Sequence, residues 1–299
     1  MAQTREEIAT LLTTRNNWGR WGPDDQRGAV NLVTPGRTRA AAAGVATGEV
    51  LSLSRPFPKD PGPTNPKPAS HFVMREARGA GGMASDYLGL NFHGLACTHI
   101  DALNHAWSLE GMWNGRQPDD VLRPSGALWG GIEAWGGGIV TRGVLLDVPR
   151  YRGVPYVTQD RPVHGEELQE ICAAQGVEMQ PGDAVAVYSG REEHDRHEAP
   201  WGTGPARPGL HASCLGFLRD TDCAVLIWDM LDMAPNGVGM DWAVHAALYA
   251  FGTALVDNAL LEPLANACAE RHRYDFMFVV APLPVAGGTG SPVNPLAVL

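Results

Sequence analysis

The sequence predicts a single α/β domain, and three observations lead to this class. Short runs rich in valine, leucine and isoleucine, typical of strands, are interspersed with longer segments of helical character. Glycine and proline number 36 and 23, and they cluster between these runs, where they signal turns and irregular loops. Neither an internal repeat nor a break in composition marks a linker, so residues 1–299 are predicted to form one domain, with a coil-rich N-terminal arm over residues 1–50.

Six strands and five helices are predicted in this domain. The strand segments are 49–54, 143–148, 183–189, 223–229, 254–256 and 276–283, and each is a short apolar run between turn signals. The helical segments are 5–13, 36–46, 164–175, 241–250 and 259–270. Asp241 is a candidate N-cap for the fourth of these helices, and Gly252 is predicted to end it.

Composition and charge argue against several functional classes. The formal net charge of −10 is unfavourable for binding nucleic acid through a basic face. No apolar run approaches the roughly 18–20 residues that span a bilayer, and the segment 1–22 lacks the basic and apolar regions of a secretory signal. The five cysteines are far apart and odd in number, which predicts free thiols in a cytoplasmic protein.

The segment 93–107, HGLACTHIDALNHAW, carries three of the ten histidines of the chain together with one aspartate. On a strand, His99 and Asp101 point to the same face, because side chains two residues apart share a side. On a helix they would lie about 200° apart and could not share an ion. Imidazole and carboxylate ligands together suit Zn²⁺ or Mn²⁺. The pattern therefore predicts an extended segment at 99–101 that binds a divalent metal, with the Thr98 hydroxyl on the opposite face in a structural role.

His105 and His93 reach the same centre only if the chain turns on either side of this strand. A straight strand would carry His105 about 20 Å from His99, so a turn is predicted at positions 103–104. His93 can return only through a turn that Gly94 permits. The alternative is a polar loop that happens to hold three histidines.

Two further candidate site residues lie far downstream. His245 falls within the predicted helix 241–250, and Asp257 follows the predicted strand 254–256. A carboxylate at the carboxyl end of a strand is a usual position for function in an α/β sheet. The alternatives are a core histidine at 245 and, for Asp257, the N-cap of the helix that follows.

Aromatic residues near the histidine segment are candidate substrate contacts. Phe92, Trp107 and Trp113 flank the segment, and aromatic side chains beside a metal would suit a flat, ring-bearing substrate. Packing in the core or in an interface is the alternative for each of them.

Two other polar positions are predicted to lie outside the site. The charged run 191–198, REEHDRHE, indicates a solvated surface loop rather than a metal site. Cys97 shares the strand parity of His99, so its thiol is a candidate ligand or nucleophile, although cysteine more commonly packs as a small hydrophobic residue.

The order of these motifs resembles the cyclase-like metal-dependent hydrolase family, which includes bacterial kynurenine formamidases, isatin hydrolase and trans-dienelactone hydrolase. In THIDALNH, the residues that match the family signature are His99, Asp101 and His105. The family also has a later histidine followed twelve residues on by acid-Asn, which His245 and Asp257 match, with Asp in place of the usual Glu. The segments WGPDDQRGAVNLVTP, SLSRPF and APLPVAGGTGSPVNPLAVL resemble the opening and the end of longer members, so the resemblance spans almost the whole chain.

One position departs from the family pattern. The first histidine of the signature should lie four residues before His99, where this chain has Leu95, whereas His93 lies six residues before it. Either His93 replaces the family ligand through a different turn, or that ligand is missing. Because this ligand is displaced and Asp257 is shorter than the usual Glu, we expect one tightly held ion per chain rather than two.

The resemblance implies a swivelling β/β/α-type α/β fold, in which a β-barrel-like layer is flanked by helices. It also implies hydrolysis of an amide, imide or lactone bond of a small cyclic or aromatic substrate, by water that Zn²⁺ or Mn²⁺ activates. His105 would be the general acid and base. The implied metal-site residues are His93, His99, Asp101, His245 and Asp257.

Two other functional classes remain open from the sequence. A metal-assisted lyase or cyclase would use the same residues, and a non-catalytic relative would bind metal or ligand without turnover. The expected partner is a small-molecule substrate, with no nucleic acid and no membrane. A homo-oligomer is also expected, because the aromatic, Gly/Pro-rich N-terminal arm suits exchange between subunits.

Overall fold

Residues 4–299 are described by a computed structural model that contains nine α-helices and eleven strands. The helices are α1 (Arg5–Thr14), α2 (Pro35–Ala43), α3 (Pro118–Val121), α4 (Val148–Arg152), α5 (Gly165–Gln175), α6 (Arg191–His197), α7 (Cys214–Asp220), α8 (Ala246–Phe251) and α9 (Glu262–Arg271). The strands are β1 (Val50–Ser52), β2 (Ser70–Arg78), β3 (Gly81–Gly89), β4 (His99–Asp101), β5 (Ile139–Asp147), β6 (Ala184–Tyr188), β7 (Val225–Trp228), β8 (Ala254–Asp257), β9 (Asp275–Val280), β10 (Gly290–Pro292) and β11 (Leu296–Val298). None of these helices has the length and apolar character needed to cross a bilayer.

Nine of the strands form one curled, open sheet in the order β1-β11-β9-β5-β6-β7-β8-β4-β10. The neighbours from β5 through β8 pair in parallel, and the remaining pairs are antiparallel. Helices flank this half-barrel layer. The predicted α/β class, with a barrel-like layer between helices, is therefore confirmed.

The central parallel strands are buried on both faces, because helices cover the sheet from both sides. In β6, Val185 and Val187 belong to one hydrophobic cluster, whereas Ala184 and Ala186 belong to the other. Residues of α5, α7 and α8 complete the first cluster, and residues of α9 contribute to the second. The sheet is thus a rigid, fully packed layer on which site residues can be held.

All six predicted strands and all five predicted helices are present, and the largest shift concerns the fourth helix. It begins at Ala246 rather than at 241. Trp242 has a positive φ of 52°, which is incompatible with a helix interior, and the carboxylate of Asp232 accepts a backbone N–H of the preceding turn. Asp241 is therefore not the N-cap. Gly252 ends the helix in the left-handed conformation, as predicted.

A two-stranded hairpin, β2 and β3, projects from the domain and was not predicted. It pairs Ser70 with Gly89 at its base and Arg78 with Gly81 at its tip. Almost every one of its residues is exposed. Because neither face of the hairpin packs on the core, its sequence lacks the alternation of apolar and polar residues that marks a half-buried strand.

Candidate metal centre

Strand β4 lies between β8 and β10 and is extended, as the spacing of His99 and Asp101 predicted. His99 and Asp101 are buried and share one face of the sheet, and Asp257 on β8 lies directly opposite His99. Ile100 points to the other face, into the core. Strand alternation thus places an imidazole and two carboxylates together on one buried surface.

The chain turns on both sides of β4, and both remaining histidines of the segment return to Asp101. The backbone N–H of His105 closes a turn directly after the strand. His105 Nε2 lies 3.8 Å from Asp101 Oδ2, and His93 Nδ1 lies 3.0 Å from Asp101 Oδ1. The two imidazoles stack on each other with ring centroids 3.9 Å apart. A bend over 93–97 therefore returns His93 to the cluster despite its six-residue spacing.

Two residues from the distant part of the chain complete the cluster. His245 Nε2 lies 3.3 Å from Asp257 Oδ2 and 3.8 Å from Asp101 Oδ2. His245 was predicted inside a helix, but it immediately precedes α8. On the outer side, His245 Nδ1 lies 2.5 Å from Asp232 Oδ2, and Trp228 Nε1 donates to Asp257 Oδ1 at 2.5 Å. Each outer partner fixes a side chain and leaves one ligand atom facing the centre.

The centre of the cluster contains acceptors that lack donors. His99 Nδ1 lies 2.9 Å from the Cys97 carbonyl, which can only accept, so in the neutral ring Nδ1 carries the proton and Nε2 does not. That bare Nε2 faces Asp101 Oδ1 at 3.3 Å. Among residues 4–299, neither oxygen of Asp101 nor Nδ1 of His93 has a hydrogen-bond partner, although all three atoms are buried. Facing acceptors repel each other unless a proton or a metal ion lies between them, and this mixture of imidazole and carboxylate atoms fits a divalent metal.

The distances between these atoms also suit a common ion. Ligand atoms about 2.0–2.1 Å from a tetrahedral ion lie roughly 3.3 Å from one another. Asp101 Oδ1 lies 3.0 Å from His93 Nδ1 and 3.3 Å from His99 Nε2. The candidate ligand atoms lie within 4.8 Å of one another in each of two triads, His93–Asp101–His105 and His99–Asp101–Asp257. Because Asp101 belongs to both triads, they form one cluster around this carboxylate.

The charges of the cluster shift the pKa values of its members. Burial disfavours the charged imidazole of His99, but Asp101 and Asp257 outweigh it and raise the pKa of His99 to about 9. Burial also opposes ionisation of Asp101, yet His105 and His99 hold the pKa of this carboxyl well below its usual range. Burial lowers the pKa of His105 to about 4. Without an ion, His99 therefore holds a proton at neutral pH, and metal binding would release it.

A buried arginine holds the loop that leads from His93 to the strand. Arg191 begins α6, in the run 191–198 that was predicted to be a solvated loop. That prediction is wrong, because the run forms a helix in which Arg191 and His194 are buried, at 3% and 8% exposure. The Arg191 guanidinium donates to the Leu95 carbonyl at 2.7 Å and to Asn258 Oδ1 at 2.8 Å. Backbone and side-chain acceptors replace the water that a surface arginine would keep.

Asn258 extends this network to the candidate metal ligands. Its amide donates to the carbonyls of Gly94 at 2.7 Å and Cys97 at 3.1 Å. The Cys97 carbonyl also accepts the Nδ1–H of His99, so one backbone oxygen connects the network to a ligand of the cluster. Arg191 and Asn258 therefore fix the backbone that orients both His93 and His99.

Replacing Arg191 with methionine is expected to weaken metal binding about 10- to 100-fold, the usual effect of losing a group that orients a ligand. The Leu95 carbonyl and Asn258 would lose their shared donor, and the loop would no longer be held. Competition with a chromophoric chelator measures the affinity. Arg152→Met is the matched control, since this side chain is also buried, at 6% exposure, and binds Glu167 instead. Equal losses of affinity in the two variants would contradict the role of Arg191.

A cavity of about 550 Å³ opens onto the cluster. The histidines of the cluster and Asp257 form its floor. The walls are largely apolar and aromatic, and they include Leu95, Trp107, Leu231, Met240, Trp242 and Tyr249. Such a cavity, apolar with a few convergent polar groups, is typical of a small-molecule site.

Of the three aromatic residues predicted as substrate contacts, Trp107 lines this cavity and two lie elsewhere. Trp113 is fully buried, packs on Trp21 with ring centroids 6.0 Å apart, and donates from Nε1 to the Asp25 carbonyl. It is a core residue rather than a substrate contact. Phe92 packs behind His93, with centroids 4.5 Å apart, and lines a neighbouring cleft.

Cys97 and Thr98 both have structural roles. Burial raises the pKa of the Cys97 thiol to about 11, and the thiol donates to the Thr98 carbonyl at 3.4 Å. The Thr98 hydroxyl donates to the Asn258 carbonyl at 2.8 Å and accepts the Arg55 N–H at 2.9 Å, in agreement with the prediction.

Sequence reasoning missed three residues that support the cluster, namely Trp228, Asp232 and Arg191. Each reaches it only through a contact between distant parts of the chain. The one available signal concerned Trp228, since the predicted strand 223–229 ends in Trp228 and Asp229, and Asp257 follows the predicted strand 254–256. These strands are the parallel neighbours β7 and β8, whose carboxyl ends meet at the site.

Comparison with known proteins gives a family match and a set of similar folds. Residues 51–235 match the family model described as "Putative cyclase". The crystal structure of a novel cyclase is 31% identical, covers 95% of this chain and 99% of that chain, and has a TM-score of 0.83. Among curated proteins, no sequence matches this chain.

Two isatin hydrolases share the fold at lower identity. One, bound to the product analogue thioisatinate, is 18% identical over 84% of this chain and 92% of that chain, with a TM-score of 0.57. Isatin hydrolase A from Labrenzia aggregata, bound to benzyl benzoate, is 17% identical over 87% and 97% of the two chains, with a TM-score of 0.59. At these identities the likeness concerns the fold.

Proposed function

The chain belongs to this cyclase family, and we propose that it is a metal-dependent hydrolase that opens an amide, imide or lactone bond of a small cyclic or aromatic substrate. One observation carries the proposal. Both oxygens of the buried Asp101 carboxylate lack hydrogen-bond partners among residues 4–299, and four imidazoles surround them. The isatin hydrolases of the same fold support hydrolysis as the reaction class.

The residues that would hold the ion are His93, His99, Asp101, His245 and Asp257. Their mixture of imidazole and carboxylate atoms suits either Zn²⁺ or Mn²⁺. Such an ion, when bound, polarises a carbonyl group and lowers the pKa of water. His245 and Asp257 have their outer atoms occupied by Asp232 and Trp228, so each would contribute one ligand atom.

His105 is the proposed general acid and base. Asp101 is fully buried, whereas the His105 side chain is 29% exposed and lines the cavity, so it borders both the cluster and a bound substrate. Stacking on His93 fixes its orientation. It would accept a proton from water as the oxygen attacks the carbonyl, and return that proton to the nitrogen or oxygen that leaves. Trp107 would contact the substrate ring.

Incubation of the metal-loaded protein with lactones, cyclic imides and formanilides tests the reaction class. Hydrolysis adds the mass of one water, and we expect such products. Products without added water would identify a metal-assisted lyase or cyclase, which the family description keeps as the second candidate. Absence of turnover with both Zn²⁺ and Mn²⁺ would favour a non-catalytic binder.

Titration of the metal-free protein with Zn²⁺ and with Mn²⁺ is expected to give one tight equivalent per chain. Both triads depend on the same Asp101, and the shorter Asp257 has one oxygen engaged by Trp228. Calorimetry measures the stoichiometry, and two tight, saturable equivalents would contradict a single ion. If His93→Ala binds its first metal ion as tightly as the unaltered protein does, His93 is not a ligand.

We also propose that the protein is a homo-oligomer, and the β2–β3 hairpin supports this. Phe72, Met74, Met83 and Tyr87 lie on one face of the hairpin and are each more than half exposed. A two-stranded ribbon is marginally stable alone in water, and pairing with a second copy would bury this face in both chains. Light scattering is expected to give a lower mass for the double variant Phe72→Ser, Tyr87→Ser than for the unaltered protein.

All five cysteines are unpaired and buried, which supports the proposal of a cytoplasmic location.

A further inference from the structure

The cavity above the cluster contains one guanidinium that forms no direct ion pair with a carboxylate of the described chain. Arg207 is the only lysine or arginine among the residues of 4–299 that line this cavity. Its Nε donates to the backbone carbonyl of Asp232 at 2.9 Å. Its two terminal nitrogens make neither a hydrogen bond nor an ion pair within the described residues, and they are not buried. They are therefore available to a molecule in the cavity.

The guanidinium is held flat and close to the cluster. The Cζ of Arg207 lies 4.1 Å from the ring centroid of Trp242. The same indole contacts the His245 imidazole, with centroids 5.2 Å apart, so Arg207 lies one indole ring away from the metal cluster. Stacking on Trp242 and the anchored Nε leave the terminal N–H groups as a planar fork, the geometry that binds a carboxylate through two parallel hydrogen bonds.

The acidic residues near Arg207 do not occupy this fork. Asp232 directs its carboxylate to His245 and to the backbone N–H of residue 244. Asp241 also lines the cavity, and its charge and that of Asp232 favour the charged form of Arg207, but within the described residues neither carboxylate forms a direct ion pair with it. A half-buried cation without a direct partner has lost part of its hydration, which favours the binding of an anion.

We propose that Arg207 binds a carboxylate carried by the substrate. The substrates would then be small aromatic or cyclic amides, imides or lactones with a carboxylate about one ring away from the bond that is opened. The largely apolar walls would hold the ring between the two polar ends. This inference rests on the proposed hydrolase function, and it names the substrate class of that site.

Matched pairs of substrates test the inference in the metal-loaded protein. The pairs are formanilide with 4-carboxyformanilide and phthalimide with 4-carboxyphthalimide. The carboxylated member is expected to have a kcat/KM about 10- to 100-fold higher, the value of a hydrogen-bonded charged contact. Arg207→Met keeps a long apolar side chain but loses the charge. In this variant we expect the ratio of the two kcat/KM values in each pair to fall to about one, because KM rises for the carboxylated member. Arg207→Lys, which keeps the charge but loses the fork, is expected to retain part of the preference.

The controls separate failure of this inference from failure of the proposed function. Arg150→Gln changes an arginine outside the cavity and should keep the wild-type ratio, and metal content shows whether Arg207→Met is folded. Equal kcat/KM for both members of each pair would overturn the carboxylate proposal while hydrolysis stands. An equal loss for both members in Arg207→Met would also overturn it, because Arg207 would then act on the reacting atoms.

If no pair is hydrolysed, the proposed function fails and the carboxylate site is tested by binding alone. Calorimetry then compares 4-carboxybenzamide with benzamide on the metal-free protein. Tighter binding of the carboxylate that Arg207→Met removes supports the site, and equal binding of the two overturns it.

Discussion

Asp101→Asn is expected to abolish metal binding and hydrolysis together. The carboxylate is fully buried, and its oxygens lie within 4 Å of the imidazoles of His93, His99, His105 and His245. An amide of the same shape supplies one oxygen without charge and turns an NH₂ group toward the remaining ligands. Loss of one partner from a buried charge cluster costs about 3–5 kcal/mol, which corresponds to roughly 10²- to 10⁴-fold in affinity.

The measurement is metal content after equilibrium dialysis, followed by kcat/KM with a substrate that the unaltered protein hydrolyses. Asp183→Asn is the matched control, because Asp183 is also fully buried and pairs with Arg142. The control should lower the melting temperature and retain the ion. Full metal content and turnover in Asp101→Asn would show that the ligand assignment is wrong.

The local part of the site was predictable because it depends on strand geometry. The spacing of His99 and Asp101 requires an extended segment if the two share an ion, and β4 is extended. The turns at positions 103–104 and after Gly94 followed from the same reasoning, since His105 and His93 cannot otherwise return. Side chains along a strand alternate between two faces with a period of two residues. Once His99 and Asp101 are placed on one face, this alternation leaves few conformations for the rest of the segment.

The distant part of the site was not predictable from local patterns. His245 and Asp257 were matched only through the family resemblance, and Asp232, which orients His245, carries no signal of its own. The buried Arg191 was misread because a run of charged residues usually indicates a solvated face. Its burial is compensated by carbonyl and amide acceptors from Leu95 and Asn258, which become neighbours only in the folded chain.

Trp113 and the β2–β3 hairpin illustrate two further limits. Trp113 lies near the ligands in sequence, but the chain turns away after Trp107 and buries the indole against Trp21. A residue close to the candidate ligands in sequence is therefore not close to the cavity in the fold. The hairpin has no buried face within one chain, so its sequence carries no pattern of burial that would predict it.

His105→Gln is expected to separate metal binding from catalysis. Glutamine can keep a hydrogen-bonding side chain at this place, but it cannot accept and return a proton at neutral pH. His105 Nε2 is 3.8 Å from Asp101 Oδ2, whereas His93 Nδ1 is 3.0 Å from Asp101 Oδ1, so His93 is the closer neighbour of the shared carboxylate. We therefore expect the variant to retain most of the ion and to lose about 10² to 10⁴ in kcat, the usual contribution of one general acid and base.

Comparing His105→Gln with His93→Gln decides between the two roles, because the stacked rings contact the same carboxylate from adjacent positions. A general acid and base should change kcat at saturating metal and substrate, and adding excess Zn²⁺ or Mn²⁺ should not restore it. A ligand should instead lower the metal affinity, with activity that recovers as the metal concentration rises. We expect the first behaviour for His105 and the second for His93. Metal loss in His105→Gln equal to that in His93→Gln would make His105 a ligand, and the proton would then have to be moved by another group in the cavity.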